Sequence, residues 1–297
     1  LVDLAQIGVI FLVFIFGLKF DPEEMNSVAQ STLAVTVLQL VITGSIGYAV
    51  ATQLGLTHFE GLVLAVVSAL SSSLVGLELA EQEIHRHLLH GRLAESMHLV
   101  QDLLGLLVLS IIFSTTPAEA LTASALTIFF ILAALSIRRY VFTFVAEAVK
   151  YNAEVLMLLG LSALVLSSQA AMYFDIPVII GAFAAGISAA RFPYNMELLD
   201  SIGSVKDFFA AIFFVTLGAL VGLPTWQTVV IAIAVLVITT VVKPYVAAEG
   251  FKALGYTDRA SVLAGLSLNQ VSELSFILVI QGLLSGLISQ SVFEGVI

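Results

Sequence analysis

The sequence predicts an all-α polytopic membrane protein of about ten spans, built as an inverted repeat with two discontinuous helices. Three observations lead there. Of 297 residues, 60% are hydrophobic and only 11% charged, with a mean hydropathy of +1.09, where a soluble domain carries about 25% charged residues. Ten of the eleven Lys and Arg residues fall in alternate junctions between apolar windows. Sliding the chain against itself by about 201 residues superimposes a polar interruption in the third window on one in the last.

A bilayer-crossing helix needs about 20 apolar residues, and windows of that size place spans A (3–20), B (31–53), C (60–80), D (92–114), E (119–138), F (152–173), G (176–192), H (205–223), I (227–249) and J (259–281). Turn-forming residues punctuate them: Asp21-Pro22 after A, Thr116-Pro117 before E, Asp175-Ile176-Pro177 between F and G, and Gly222-Leu223-Pro224 after H. Lys19 lies at the A–B junction, Arg86 and Arg92 in C–D, and Arg138, Arg139 and Lys150 in E–F. Arg191 and Lys206 lie in G–H, and Lys252 and Arg259 in I–J. Junctions B–C, D–E, F–G and H–I have none. The positive-inside rule makes the basic side cytoplasmic and the protein a multi-pass cell-membrane protein. Lys243, inside span I, is the exception.

The same offset aligns A with H, B with I and C with J, so that Gly17 falls on Gly218 and Ser68–Ser73 on Asn269–Leu274. A and H are an odd number of spans apart, so the copies, about 1–114 and 205–297, point opposite ways across the membrane. The chain opens on Leu1 within an apolar window and stops where the partner of D should begin. The expectation is a single transmembrane domain over 1–297, truncated at both ends.

Zero cysteines exclude disulfides, thiolate metal sites and a cysteine nucleophile. There is no P-loop and no Gly-x-Ser-x-Gly. His85, His87 and His90 sit in a basic loop beside Arg86 rather than in a metal-binding cluster, and no basic patch suits nucleic acid. The sequence suggests no enzyme and no cofactor.

Gln101–Asp102 stands in the otherwise apolar run Leu99–Phe113. A carboxylate at membrane depth costs several kcal/mol and by default marks an ion or proton pathway. Glu95, His98 and Asp102, at i, i+3 and i+7, share one helix face. They make either a hydrated funnel toward Asp102 or, for Glu95 and His98, ordinary interfacial positions. Ser71, Ser72 and Ser73 in span C fit a helix that unwinds to offer hydroxyl and carbonyl oxygens to an alkali cation. Serines in membrane helices also bond back to carbonyls or tie helices together. Asn269, Gln270, Ser272 and Glu273 in span J are read in the same two ways. Asp102 has an ion pair with Lys243 as its structural alternative. Burial favours the neutral form of either group and a nearby opposite charge the ionised one, so such a pair is also able to trade a proton for a cation. Lys243 precedes Pro244, which loosens the helix there; snorkelling to the interface is the other reading.

Gly91-Arg92, eight residues, then Gln101-Asp102 resembles the fifth-helix motif of the monovalent cation:proton antiporter superfamily, in its Kef-like potassium-efflux branch with an NhaA-like fold. Gly17-Leu-Lys-Phe-Asp-Pro22 resembles that family's Gly-Leu-Glu-Leu-Asp-Pro, Phe213–Gly218 its Phe-Phe-x-x-x-Gly, and Gly181–Gly186 its Gly-Ala-Phe-x-Ala-Gly. Ser267–Glu273 resembles its Leu-Ser-Gln-Gly-Gly-Glu, with Asn269-Gln270-Val271 departing from the pattern. The resemblance implies Asp102 as the site where an alkali cation and a proton bind in turn. It makes Gln101 a marker of potassium-type members, Lys243 the family's basic residue on its tenth helix, and Ser71–Ser73 the unwound fourth helix. It further implies that the family's first two helices, its last one and any cytosolic nucleotide-binding regulatory domain lie outside this chain.

The expected function is secondary antiport of K⁺ or Na⁺ against H⁺ by alternating access in a homodimer, with C, D, I and J moving as a core and spans such as A, G and H as scaffold. One acid rather than two points to electroneutral exchange. The rivals are a gated potassium channel or efflux pathway on the same fold, a non-transporting membrane sensor, and a sodium-coupled carrier of organic solutes.

Overall fold

The computed structural model describes residues 2–20, 29–73, 75–76, 88–142, 153–190 and 194–297. Every regular element among them is helical. In chain order they are α1 (Val2–Lys19), α2 (Ala29–Gln53), α3 (His58–Ala69), α4 (Leu89–Ile111), α5 (Pro117–Ile137), α6 (Ala153–Tyr173), α7 (Val178–Ala189), α8 (Tyr194–Leu220), α9 (Trp226–Val237), α10 (Lys243–Ala253), α11 (Asp258–Leu266), α12 (Glu273–Leu284) and α13 (Gln290–Val296). A π-helical turn, Arg138–Phe142, extends α5, and another, Ile238–Val242, joins α9 to α10.

Spans A, B, D, E, F, G and I appear where hydropathy places them. Span H differs: its helix begins at Tyr194, eleven residues before the apolar window. Leu198 and Ile202 keep one face of that extra length buried, a pattern an apolar window cannot see. Spans C and J are interrupted. α3 ends at Ala69, Leu70 is extended, residues 70–72 are non-helical, and helix resumes at Ser73. α11 ends at Leu266 and α12 begins only at Glu273. Among the described residues five helices are long and apolar enough to cross a bilayer, and α3, α7 and α12 are among the shorter apolar ones. Asp21-Pro22, His85, Arg86, His87, Lys150 and Arg191 lie outside the described residues.

The chain forms two compact units, Leu1–Asp21 with Leu106–Leu220, and Pro22–Gly105 with Val221–Ile297. At the centre of the first, α7 packs against α1, α5 and α6 and is buried from Ile179 to Ala189. Small residues permit this. A Cβ at Gly186 would lie 2.6 Å from the Cα of Gly17, and one at Gly8 would lie 2.6 Å from the carbonyl oxygen of Phe209. Asp175, in the α6–α7 turn, takes the left-handed conformation (φ 54°) that Asp tolerates better than most residues.

In the second unit, α2 and α3 form one helical hairpin and α10 and α11 another. The two turns share one design. Gly55 (φ 70°) and Gly255 (φ 88°) end the incoming helix in the left-handed conformation glycine adopts freely. Thr57 and Thr257 then cap the next helix, accepting hydrogen bonds from the backbone N–H of Glu60 and Ala260. Glu60 returns a bond to the Thr57 N–H (2.9 Å) and also accepts from the Ser289 N–H (2.9 Å), tying α3 to the start of α13. Below the interruptions Val35, Leu93, Met97, Ala247, Phe251, Ala264 and Leu268 form one apolar cluster joining α2, α4, α10 and α11.

Candidate cation site

A helix that stops inside an apolar protein leaves carbonyl groups without partners, and at membrane depth each such group costs several kcal/mol. In the second unit, side chains from neighbouring helices satisfy them. Lys243, at the start of α10, donates to the carbonyls of Leu70 (2.7 Å) and Gln270 (2.8 Å), one in each interruption. The carbonyl ends of α3 and α11 carry partial negative charge, so an ammonium is the favourable group to place there. Gln39 Nε2, from α2, donates to the carbonyl of Ala69 (3.0 Å), and Ser71 Oγ donates to the carbonyl of Leu268 (3.1 Å). Gln270 Nε2 bonds to the carbonyls of Ser72 (3.0 Å) and Ser267 (2.7 Å), and His98 Nε2 also reaches the latter (3.1 Å).

Gln101 joins this frame rather than standing beside Asp102 as a free ligand. Its Oε1 accepts from the Ser71 N–H (3.0 Å), and its Nε2 donates to Gln39 Oε1 (2.6 Å). Gln39 Nε2 also bonds Thr43 Oγ1 (2.9 Å). Both amides are therefore held the same way round along one path from α2 through α4 to the interruption in span C.

The carboxylates lie within the frame. Ser72 Oγ donates to Glu273 Oε1 while accepting from the Val75 N–H (3.1 Å). Glu273 opens α12, whose cap is the hydroxyl of Ser272; an acid in the first turn of a helix is favourably placed. Asp102 has Glu273 and Ser73 as its polar neighbours. All three are buried, with Asp102 7% exposed, Glu273 5% and Ser73 1%. Ser73 Oγ makes no hydrogen bond of normal geometry among the described residues.

Four sequence expectations change. Lys243 is 0% exposed and bound to carbonyls, so it neither snorkels nor has Asp102 among its hydrogen-bond partners. His98 is buried against span J, not interfacial; Glu95, one turn earlier, is half-buried. Asn269 is exposed and stands apart from the hydrogen bonds that involve Gln270. The unwound carbonyls expected as cation ligands already accept bonds from Lys243, Gln39, Ser71 and Gln270. Asp102, the second Glu273 oxygen and Ser73 are oxygen-bearing groups that hold none of these carbonyls.

Sequence reasoning missed Gln39 and Thr43. The signal is present: Thr32, Thr36, Gln39 and Thr43 recur at i, i+4, i+7 and i+11 and are all fully buried, one polar face on an otherwise apolar helix.

The family profile described as "Sodium/hydrogen exchanger, transmembrane" matches residues 1–297, the whole chain. The chain belongs to that family. Among the chain's relatives is K(+) efflux antiporter 4 of Arabidopsis thaliana, 27% identical over 92% of the chain and 48% of the relative. The ammonium/H(+) antiporter subunit AmhT of Alkalihalophilus pseudofirmus is 24% identical over 92% of the chain and 73% of the relative. The chain spans about half the length of the plant relatives it matches, 48% in each of two. The solved sodium proton antiporter MjNhaP1 of Methanocaldococcus jannaschii shares the fold, with TM-scores of 0.60 and 0.63 at 14% identity, over 98% of this chain and 78% or 77% of that chain.

Proposed function

We propose that this exchanger chain is the transmembrane core of an antiporter that moves a monovalent cation, K⁺ or Na⁺, against H⁺. The observation that carries the reading is Asp102: a buried carboxylate beside two interrupted helices, left open while other side chains hold the interruptions together. A cation and a proton are alternatives at such a group, and their competition couples the two fluxes. The names of the relatives support K⁺ and H⁺ as substrates, with ammonium and Na⁺ in others. The transported ions are substrates, and the reading requires neither a cofactor nor enzymatic chemistry.

The frame residues all belong to the unit that contains α2, α3 and α10–α13. This unit is proposed to move as a body, carrying the site from one side of the membrane to the other. The recurrence of the glycine turn and threonine cap at Gly55–Thr57 and Gly255–Thr257 supports reading 1–114 and 205–297 as inverted copies. Cytoplasmic basic loops and a homodimer, with the bilayer covering the remaining apolar surface, complete the proposal.

The test is exchange in vesicles. The full-length protein, reconstituted with an imposed pH gradient, is expected to collapse that gradient on addition of K⁺ or Na⁺, and Asp102→Asn is expected to abolish the response. Cation-driven proton movement surviving in Asp102→Asn refutes the reading. Cation flux that ignores the pH gradient indicates a channel on the same fold.

A further inference from the structure

Of the two buried carboxylates in the site, the proposed cycle uses only Asp102. Glu273 is equally hidden, and its charge acts on Asp102. Ser72 Oγ donates to its Oε1 and itself accepts from the Val75 N–H, so the carboxylate cannot swing away without losing its bond to an anchored hydroxyl. Asp102, on α4, is close enough to interact electrostatically with Glu273, and the Ser73 hydroxyl, at the resumed helix of span C, interacts with Asp102. The other charged or titratable groups around the pair are committed elsewhere: Lys243 to the carbonyls of Leu70 and Gln270, and His98 Nε2 to that of Ser267.

We infer that Glu273 is a direct ligand of the transported cation, which is shared between the Asp102 and Glu273 carboxylates with the Ser73 hydroxyl as a third oxygen. Two carboxylates set against each other away from water repel unless a positive charge lies between them. A hard alkali cation suits that position, being bound by carboxylate and hydroxyl oxygens. The buried Ser73 hydroxyl interacts with Asp102, which places its oxygen to join an ion held at that carboxylate. The arrangement also balances charge. With Lys243 positive and both carboxylates ionised, one bound monovalent cation makes the site neutral. With the cation gone, one proton on the pair does the same. Exchange of one for the other is therefore electroneutral, with the second acid as counter-charge to Lys243 rather than as a second transported proton.

This inference rests on the antiport reading and is tested separately from it. Glu273→Gln keeps the length and the acceptor oxygen for Ser72, so the local bonds survive while the charge is lost. In reconstituted vesicles, the K⁺ or Na⁺ concentration for half-maximal exchange is expected to rise at least about tenfold in Glu273→Gln and about threefold in Ser73→Ala, as expected when an oxygen that contacts a bare ion loses its charge or is removed. In detergent, the rise in melting temperature that wild type shows on adding K⁺, Na⁺ or Rb⁺ is expected to vanish in Glu273→Gln, since only a bound ion stabilises by mass action. The ion-free melting temperature at alkaline pH is expected to hold or rise, because the repulsion is gone. A variant with wild-type half-saturation and an intact cation-induced shift overturns the inference. So does one that merely melts lower while keeping the shift, which would make Glu273 structural. If Asp102→Asn also retains exchange, it is the antiport reading that has failed; if Asp102→Asn is dead and Glu273→Gln is normal, only the shared-ligand inference falls.

Discussion

Gln39 and Gln101 show how much one amide orientation decides. Gln39 Nε2 must face the carbonyl of Ala69, so its Oε1 faces Gln101 Nε2, and Gln101 Oε1 is left for the Ser71 N–H. A carboxamide can do this because it is donor and acceptor at once; an ionised carboxylate at 101 could accept but not donate. Gln39→Leu removes the first member and leaves the Ala69 carbonyl and Gln101 Nε2 buried without partners, at a cost of about 1–3 kcal/mol. Thermal unfolding in detergent is expected to show that loss, with slower exchange in vesicles. A Gln39→Leu protein as stable as wild type would mean that the relay carries no weight. The residue-scale lesson is that Asp102 could be read from the sequence, because a carboxylate in an apolar run is anomalous wherever it occurs. The role of Gln101 could not, since its partners sit 62 and 30 positions away.

At the scale of elements, hydropathy and punctuation located the helices, and runs of polar residues located the interruptions in spans C and J, because both are local properties of the chain. What Lys243 does was not legible: its partners are backbone carbonyls, which every residue has and no sequence pattern marks. Lys243→Met removes the donor that both interruptions share. Charge-assisted bonds contribute about 1.5–3 kcal/mol each, so a loss of about 3 kcal/mol or more is expected in thermal unfolding. Were Lys243 instead the ion-pair partner of Asp102, the double variant with Asp102→Asn would be less damaged than the sum of the singles. The carbonyl bonds lost in Lys243→Met are not replaced in that double variant, so it is expected to stay about 3 kcal/mol or more below wild type. In the other unit, α1 and α7 approach at Gly17 and Gly186 too closely for a side chain. Gly186→Ala is expected to cost about 1–3 kcal/mol through overpacking while leaving the half-saturating cation concentration unchanged. A shift in that concentration would tie α7 to the ion site.

For the whole molecule, the governing constraint is that one buried site serves two ions of like charge. Holding the interruptions with Lys243, Gln39 and Gln270 leaves carboxylate oxygens, not fixed carbonyls, as the open ligands, and carboxylates bind protons as well as cations. Proton and cation then compete, and the sign of the pH dependence follows. Lowering pH populates the protonated site and displaces the cation, so the half-saturating cation concentration must rise as the medium is acidified. On the acid side, simple competition predicts a rise of about tenfold per pH unit; on the alkaline side the value levels off. Measuring half-saturation for K⁺ and Na⁺ at several pH values in vesicles, with equal pH on both sides and tracer exchange as the readout, checks this directly. A flat profile would separate the proton site from the cation site and return the proton to another group, of which buried His98 is the nearest candidate along α4.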